Sequence, residues 1–483
     1  MVKKQDAGPH FVVASRKGRK LTTLRLLGTS HARTMRNDGK GLRSKSPRDA
    51  HSSLGQLPET RDPVRLILDS NKDRIQGLVP VRHSRMLESP FAFYRGTAGI
   101  QAFDLAHAPS SGIEVQCCGD AHLMNFGGFA TPERRFIFDL NDFDETFPAP
   151  FEWDLKRLTA SLVLAARWRN LSESAAADVA EATACAYRER IDASAEQTTL
   201  DTWYAAVTWQ GIRDEVANAR KVLRGVDRIV AKAHDRNSES LFHRLTSNVG
   251  GEIRILDQPP LLYHVPDVDL TSIAKPFLEQ YASTLREDVH SLFSRLRFVD
   301  AALKVVGVGS VGTRCFVVLM LGEQNEPVFI QIKEARDSVL ALNARKSPWR
   351  HNGERVVAGQ RAMQASSDLF LGWSRGPNRR DFYVRQLRDM KMSVDVSNMN
   401  RSSLTIYGIL CGQTLARAHA KTGAAARIAG YLGSSDVFDK AIRRYAVDYA
   451  NQAEQDYEAF RKAAAAGVVR TETSTDIQRL VVS

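Results

Sequence analysis

Residues 119–125 read Gly119-Asp120-Ala121-His122-Leu123-Met124-Asn125 and follow an apolar run, Ile113–Cys118, with the character of a short strand. A second polar cluster, Phe138-Asp139-Leu140-Asn141-Asp142-Phe143-Asp144-Glu145, closes another apolar run, Arg135–Leu140. Both clusters release carboxylates onto loops where strands end, which is where metal and phosphate chemistry is readily built. Asp120 and Asn125 have the separation of the base and the metal-binding amide in a phosphoryl-transfer loop. Asp139 follows at a distance suited to a second metal-binding acid. This pattern makes Asp120 the candidate base and Asn125 and Asp139 the candidate magnesium ligands, because magnesium prefers hard oxygen donors.

Other members of the clusters carry two readings each. His122 is a candidate catalytic residue, with bracing of the loop as its alternative. Asp142 is a further candidate metal ligand or a solvated acid. Asp154, in Glu152-Trp153-Asp154-Leu155, is either an acid favoured by a helix start or a tether for the catalytic loop. Arg95 and His83, upstream of that loop, are candidates for the acceptor pocket or for packing.

A third stretch, Gly307-Val308-Gly309-Ser310-Val311-Gly312-Thr313, fits G-x-G-x-x-G. A dinucleotide fold needs a helix directly after it, yet an apolar strand, Cys315–Leu321, follows. A P-loop needs lysine after the last glycine, where Thr313 stands. A kinase-type Gly-rich loop needs strand, turn, strand and then a lysine on the next strand, and Lys333 closes Val328–Lys333. Gly307, Gly309, Ser310 and Gly312 are therefore candidate phosphate contacts, and Lys333 the candidate partner of the α/β-phosphates. Glu354, early in the next helix, is the candidate partner for Lys333. The backbone near Gln386–Arg388, after the strand Asp381–Leu387, is the candidate contact for the base.

The chain has 483 residues, enough for more than one lobe, with 43% hydrophobic and 25% charged residues. The net charge of +12 is concentrated in residues 1–50, which carry 13 Lys or Arg against Asp6, Asp38 and Asp49. That segment reads as a basic, solvated tail with at most weak nucleic-acid contact, not as the signature of a nucleic-acid-binding body. No apolar run is long enough to span a membrane. The five cysteines form no C-x-x-C pair, as expected of reduced thiols in a cytoplasmic protein. The organisation expected is a tail (1–58), a catalytic-loop half (59–200), a helical insertion or lobe extension (201–300), a nucleotide-binding sheet lobe (301–390) and returning helices (391–483). Val64–Leu78 reads as a helix stopped by Pro80.

The Gly-Asp-x-His-x-x-Asn loop, the apolar-Asp strand end and the Trp-Asp-Leu helix start resemble the aminoglycoside and choline kinase branch of the protein-kinase-like superfamily. Cys118 stands where that branch has His. From about residue 60 the chain also resembles a bacterial domain-of-unknown-function family grouped with kinase-like folds, through Ser89–Gly96, 119–145, Val308–Arg314, Gln331–Ala335, Asp381–Lys391 and Leu415–Ala420. The resemblance implies an α+β, two-lobed fold with a small antiparallel sheet lobe and a large helical lobe. The catalytic loop precedes the Gly-rich loop, the reverse of the kinase order, so a circular permutation is expected. The function expected is Mg-ATP-dependent phosphoryl transfer to a hydroxyl on a small molecule. Adenylyl transfer, a non-catalytic nucleotide-binding module and a metal hydrolase built on Asp120, His122, Asp139 and Asp142 are the alternatives.

Overall fold

The computed structural model describes residues 31–215, 238–259, 261–265, 270–305, 307–341, 347–387 and 392–472. Its strands in chain order are β1 (Glu114–Cys117), β2 (Phe126–Ala130), β3 (Phe136–Leu140), β4 (Phe147–Pro150), β5 (Val207–Thr208), β6 (Thr246–Val249), β7 (Glu252–Ile255), β8 (Leu262–Tyr263), β9 (Arg297–Lys304), β10 (Cys315–Leu321), β11 (Pro327–Glu334), β12 (Gly372–Arg375), β13 (Asp381–Gln386) and β14 (Met392–Ser393). The expected strands Cys315–Leu321 and Val328–Lys333 are β10 and β11, antiparallel to each other, and β9 pairs antiparallel with β10. They sit in a six-stranded sheet ordered β12-β13-β11-β10-β9-β8. The helix Asn352–Met363 lies in the connection from β11 to β12.

Alternation puts apolar residues on both faces of this sheet, so both faces are covered. On one face Ala301, Val318, Ile330, Ile332 and Phe382 pack with Phe277 and Tyr281 of the helix Leu270–Ala282. On the other, Ala302, Val317, Leu319 and Phe329 pack with Leu241 and Leu245 of the helix Ser238–Leu245.

The second structural centre is helical. Phe151–Trp168, Glu173–Ala195, Arg401–Lys421 and Val437–Ala465 share one large core in which Leu158, Leu162, Tyr187, Leu415 and Ile442 are fully buried. The four-stranded sheet β14-β2-β3-β5 and the pair β1-β4 sit against it. The chain thus passes from the helical centre into the six-stranded sheet and back again. The mixed α+β class with small antiparallel sheets is as expected.

Three local expectations need correction. Residues 31–58 are not a solvated tail: the helix His31–Gly41 crosses Ala425–Leu432 so closely that a Cβ on Gly39 would lie 1.9 Å from the Arg427 carbonyl oxygen. Arg43 and Arg48 donate to the carbonyls of Tyr431 and Leu432 at the end of that helix, which puts their charge to structural use. Residues 1–30 lie outside the described residues. The stretch 201–300 is not wholly helical but holds β5 to β8, two to four residues each. Pro80 starts a helix, Val79–Met86, where its missing N–H costs nothing, and does not stop one.

Candidate active site

The loop after β1 is fixed from below by Asp154, near the start of the helix Phe151–Trp168. Its carboxylate accepts the backbone N–H groups of Cys118 (2.7 Å) and Gly119 (3.0 Å) and faces His419 Nε2 at 3.2 Å. The Tyr187 hydroxyl, 2.8 Å from His419 Nδ1, closes the chain. Asp154 is thus the tether of the loop that carries Asp120. Cys117, Asp154 and His419 place donor atoms within 4.8 Å of one another, but both Asp154 oxygens already accept hydrogen bonds from the Cys118 and Gly119 N–H groups. The Cys117 thiol donates to the carbonyl oxygens of Ala149 and Pro150. The cluster therefore reads as an anchor, not a metal centre.

Gly119 has φ +86° and lies so close to β4's approach that an added Cβ would stand 2.1 Å from the Glu145 carbonyl oxygen, so only glycine fits beside Asp120. Arg157 Nε donates to Asp120 Oδ1 at 2.8 Å. That guanidinium is itself held by the Tyr94 carbonyl at 2.7 Å and lies over the Tyr94 ring. Asp120 stays partly exposed, its side chain 21% accessible. Asn125 donates its amide N–H to the Asp120 carbonyl at 2.7 Å, leaving its Oδ1 as the remaining acceptor. His122 is buried, and its Nδ1 accepts the Met124 N–H. Burial pulls its pKa down to about 4, against the opposing pull of Asp120, so at neutral pH it is an uncharged brace.

The acids after β3 divide. Asp139 is 0% exposed, and its oxygens accept from Leu140 N (2.9 Å), Ala365 N (2.8 Å) and Arg417 Nη2 (2.6 Å). The metal role expected of Asp139 therefore does not suit its position: it is the buried counter-ion of Arg417. The acids that reach the cleft are Asp142 and Asp144. Lys333 Nζ lies 2.7 Å from Asp144 Oδ2 and 3.9 Å from Asp142 Oδ1, and the Tyr383 hydroxyl donates to Asp144 Oδ1 at 2.6 Å. Burial lowers the affinity of the Lys333 amine for its proton, but Asp142, Asp144 and Tyr383 outweigh it and hold the pKa well above its ordinary value.

Glu354 is not the partner of Lys333; that place is taken by Asp144 and Asp142. Its neighbour Arg355, missed in the sequence, does the linking: it donates to the carbonyls of Thr146 (2.6 Å), Asp144 (2.9 Å) and Arg336 (2.7 Å). Glu145 Oε2 accepts Val339 N at 2.7 Å, so the segment leaving β11 is docked on the acid loop. Burial pushes the Glu145 carboxyl up to about 7, the Val339 N–H opposing it.

The Gly-rich loop joins β9 to β10, and Gly307 and Gly312 adopt φ +68° and +84°. Its carbonyls accept from Arg85 (at Gly307), Arg74 (at Val311) and Ile75 N (at Gly312). Gly309, Ser310 and Thr313 line a cleft of about 680 Å³ shared with Asp120, Asp142 and Asp144. The Gln386 N–H is committed to the Asp368 carboxylate and Leu387 N to the Phe329 carbonyl, so the expected base contact at Gln386 has no free donor there. Arg388 lies outside the described residues. Arg95 lines the cleft, whereas His83 is buried between Asn71 and the Arg470 carbonyl in a packing role.

Fold and cleft define a mixed α+β protein whose carboxylate loops meet a glycine-rich hairpin and a buried lysine. The chain belongs to the bacterial family described as "Uncharacterized protein conserved in bacteria (DUF2252)", whose model matches residues 74–463. No curated protein and no solved structure matches it. Among the described residues, no helix is long and apolar enough to cross a membrane.

Proposed function

We propose that this protein is a Mg-ATP-dependent phosphotransferase with a circularly permuted, protein-kinase-like arrangement, acting on a hydroxyl of a small molecule. The observation that carries the reading is the contact of Lys333 with Asp144 and Asp142, two acids that line the cleft together with Asp120. Two further features support it. Lys333 lies on the third strand of β9–β10–β11, with a helix in the next connection, the order required of a kinase small lobe. The loop bearing Asp120 is pinned by Asp154 and Arg157, which fixes a carboxylate where an acceptor hydroxyl can meet it.

The donor set proposed for magnesium is the Asp142 and Asp144 carboxylates, which line the cleft, with the Asn125 amide oxygen as a further hard donor. Magnesium bound there would neutralise charge on the phosphates. Lys333 exchanges its contact with Asp144 for the nucleotide phosphates, and the Gly-rich backbone from Gly309 to Gly312 covers them. Asp120 orients the acceptor hydroxyl and takes its proton. The acceptor oxygen forms a bond to the terminal phosphorus, the bond from that phosphorus to the bridging oxygen breaks, and ADP leaves with the electron pair.

The test is incubation of the full chain with Mg-ATP and a panel of hydroxyl-bearing metabolites, with product masses read by mass spectrometry. Addition of one phosphate supports the reading. Addition of AMP assigns the site to adenylyl transfer, and no ATP-dependent product with any acceptor or with the chain itself contradicts both.

A further inference from the structure

The cleft gathers four arginines that transfer to a neutral hydroxyl does not require, within a lining of nine acids and six arginines. Arg74, Arg82, Arg95 and Arg336 all line it together with Asp120. Among the described residues, none of the four donates a hydrogen bond to a carboxylate. Arg74 bonds the carbonyls of Val311 (2.6 Å) and Ser70 (3.3 Å). Arg82, 2% exposed, bonds Asn71 Oδ1 and the Gly96 carbonyl, each at 2.7 Å, and its Nε has no partner. The Arg95 Nε is likewise buried without a partner. Arg336 bonds the Ser70 carbonyl at 3.2 Å, and its nearest acid is the exposed Asp73 at 3.7 Å.

Three acids of the same cleft are engaged elsewhere. Glu334 is held by Arg314 and Arg380, Asp120 by Arg157, and Asp144 by Lys333. The arginines repel one another: burial, then the charge of Arg336, brings Arg74 down to about 10, and burial with Arg74 and Arg336 lowers Arg82 well below its usual range. Guanidinium groups held together with no carboxylate in hydrogen-bond contact are costly, and guanidinium forks match phosphate and carboxylate oxygens.

We propose that these four arginines bind a phosphate group of the acceptor, so that the substrate is a phosphorylated small molecule bearing a free hydroxyl. Arg95 is close enough to feel the Asp120 charge. A phosphate seated on Arg95 and Arg336 therefore leaves the rest of the molecule to extend toward the Asp120 carboxylate. The inference rests on the phosphotransferase reading only in naming the ligand as acceptor; the anion site itself does not need it.

The experiment is thermal-shift titration of the full chain with inorganic phosphate, alone and with a non-hydrolysable Mg-ATP analogue. It uses wild type, Arg336→Gln and Arg95→Gln, both at partly exposed positions where folding is retained. Phosphate is expected to stabilise wild type saturably, with affinity at least tenfold weaker in both variants, and the shifts from phosphate and analogue are expected to add. No stabilisation of wild type, or unchanged affinity in both variants, overturns the anion site. Competition between phosphate and analogue assigns the arginines to the nucleotide and overturns the acceptor site. If phosphate binds and the analogue does not, the phosphotransferase reading fails while the anion site stands.

Discussion

Lys333 Nζ lies 2.7 Å from Asp144 Oδ2, although 189 positions separate the two residues in the chain. One side of the contact comes from the six-stranded sheet and the other from the loop that follows β3. Asp142 at 3.9 Å and Tyr383, bonded to the same carboxylate, widen the contact into a junction. The Asp144 and Lys333 side chains are 26% and 4% accessible, so the lysine is enclosed while the acid remains open to the cleft.

Asp120→Asn is expected to reduce transfer by about 10²- to 10⁴-fold, the usual contribution of a general base. Arg157 keeps an acceptor in the amide oxygen, so nucleotide affinity and folding are expected to change little. Single-turnover rates alongside nucleotide titrations check this, and equal loss of both is the contrary result.

Asp139→Asn and Asp142→Asn are expected to separate structure from chemistry. Asp139 is fully buried against Arg417, so neutralising it leaves an uncompensated guanidinium and costs about 3–5 kcal/mol of stability. Asp142 is 31% accessible, so its substitution is expected to change stability by about 0.5 kcal/mol or less while raising the magnesium concentration needed for half-maximal activity. Urea denaturation and magnesium titration of activity read the two effects.

Much of this division was legible in the residues. The apolar, β-branched run Cys315–Leu321 is β10 with those bounds, and Lys333, expected to close the next strand, lies on β11 against Asp144 and Asp142. The helix start at Trp153-Asp154-Leu155 is met by the helix Phe151–Trp168, which carries Asp154 and Arg157. Asp139 misled because an aspartate at a strand end looks alike whether it faces the cleft or the core. What decides is Arg417, which arrives from a helix 278 positions away. Arg355 was passed over for the neighbouring Glu354 because its partners are all backbone carbonyls, which leave no charge pattern in a sequence. Strands of two to four residues such as β5 and β8 carry too few side chains to show a period.

Glu145→Gln is expected to flatten part of the pH dependence of stability. The wild-type carboxyl has its pKa raised by burial from 4.5 to about 7, so the folded state holds its proton more tightly than the unfolded chain does. Stability from this group is therefore present below pH 4.5 and is lost as pH rises toward 7. The difference in melting temperature between variant and wild type is expected to move in the variant's favour over that window. A difference that stays constant from pH 4.5 to 8 is the contrary result.

Gly119→Ala is expected to cost more than the ~1–2 kcal/mol of forcing a side chain into the left-handed region, because the methyl also meets the Glu145 carbonyl. Displacement of the Asp120 loop is expected to lower activity further. Chemical denaturation with parallel rate measurement checks both, and wild-type stability in the variant contradicts the geometry described.

The account stands most directly on calorimetric titration of Mg-ATP into wild type and Lys333→Ala. The expected result is one saturable site in wild type and at least tenfold weaker binding in the variant, with the variant still folded. Equal affinity in the two proteins would show that the nucleotide does not lie at the junction of Lys333 with Asp144.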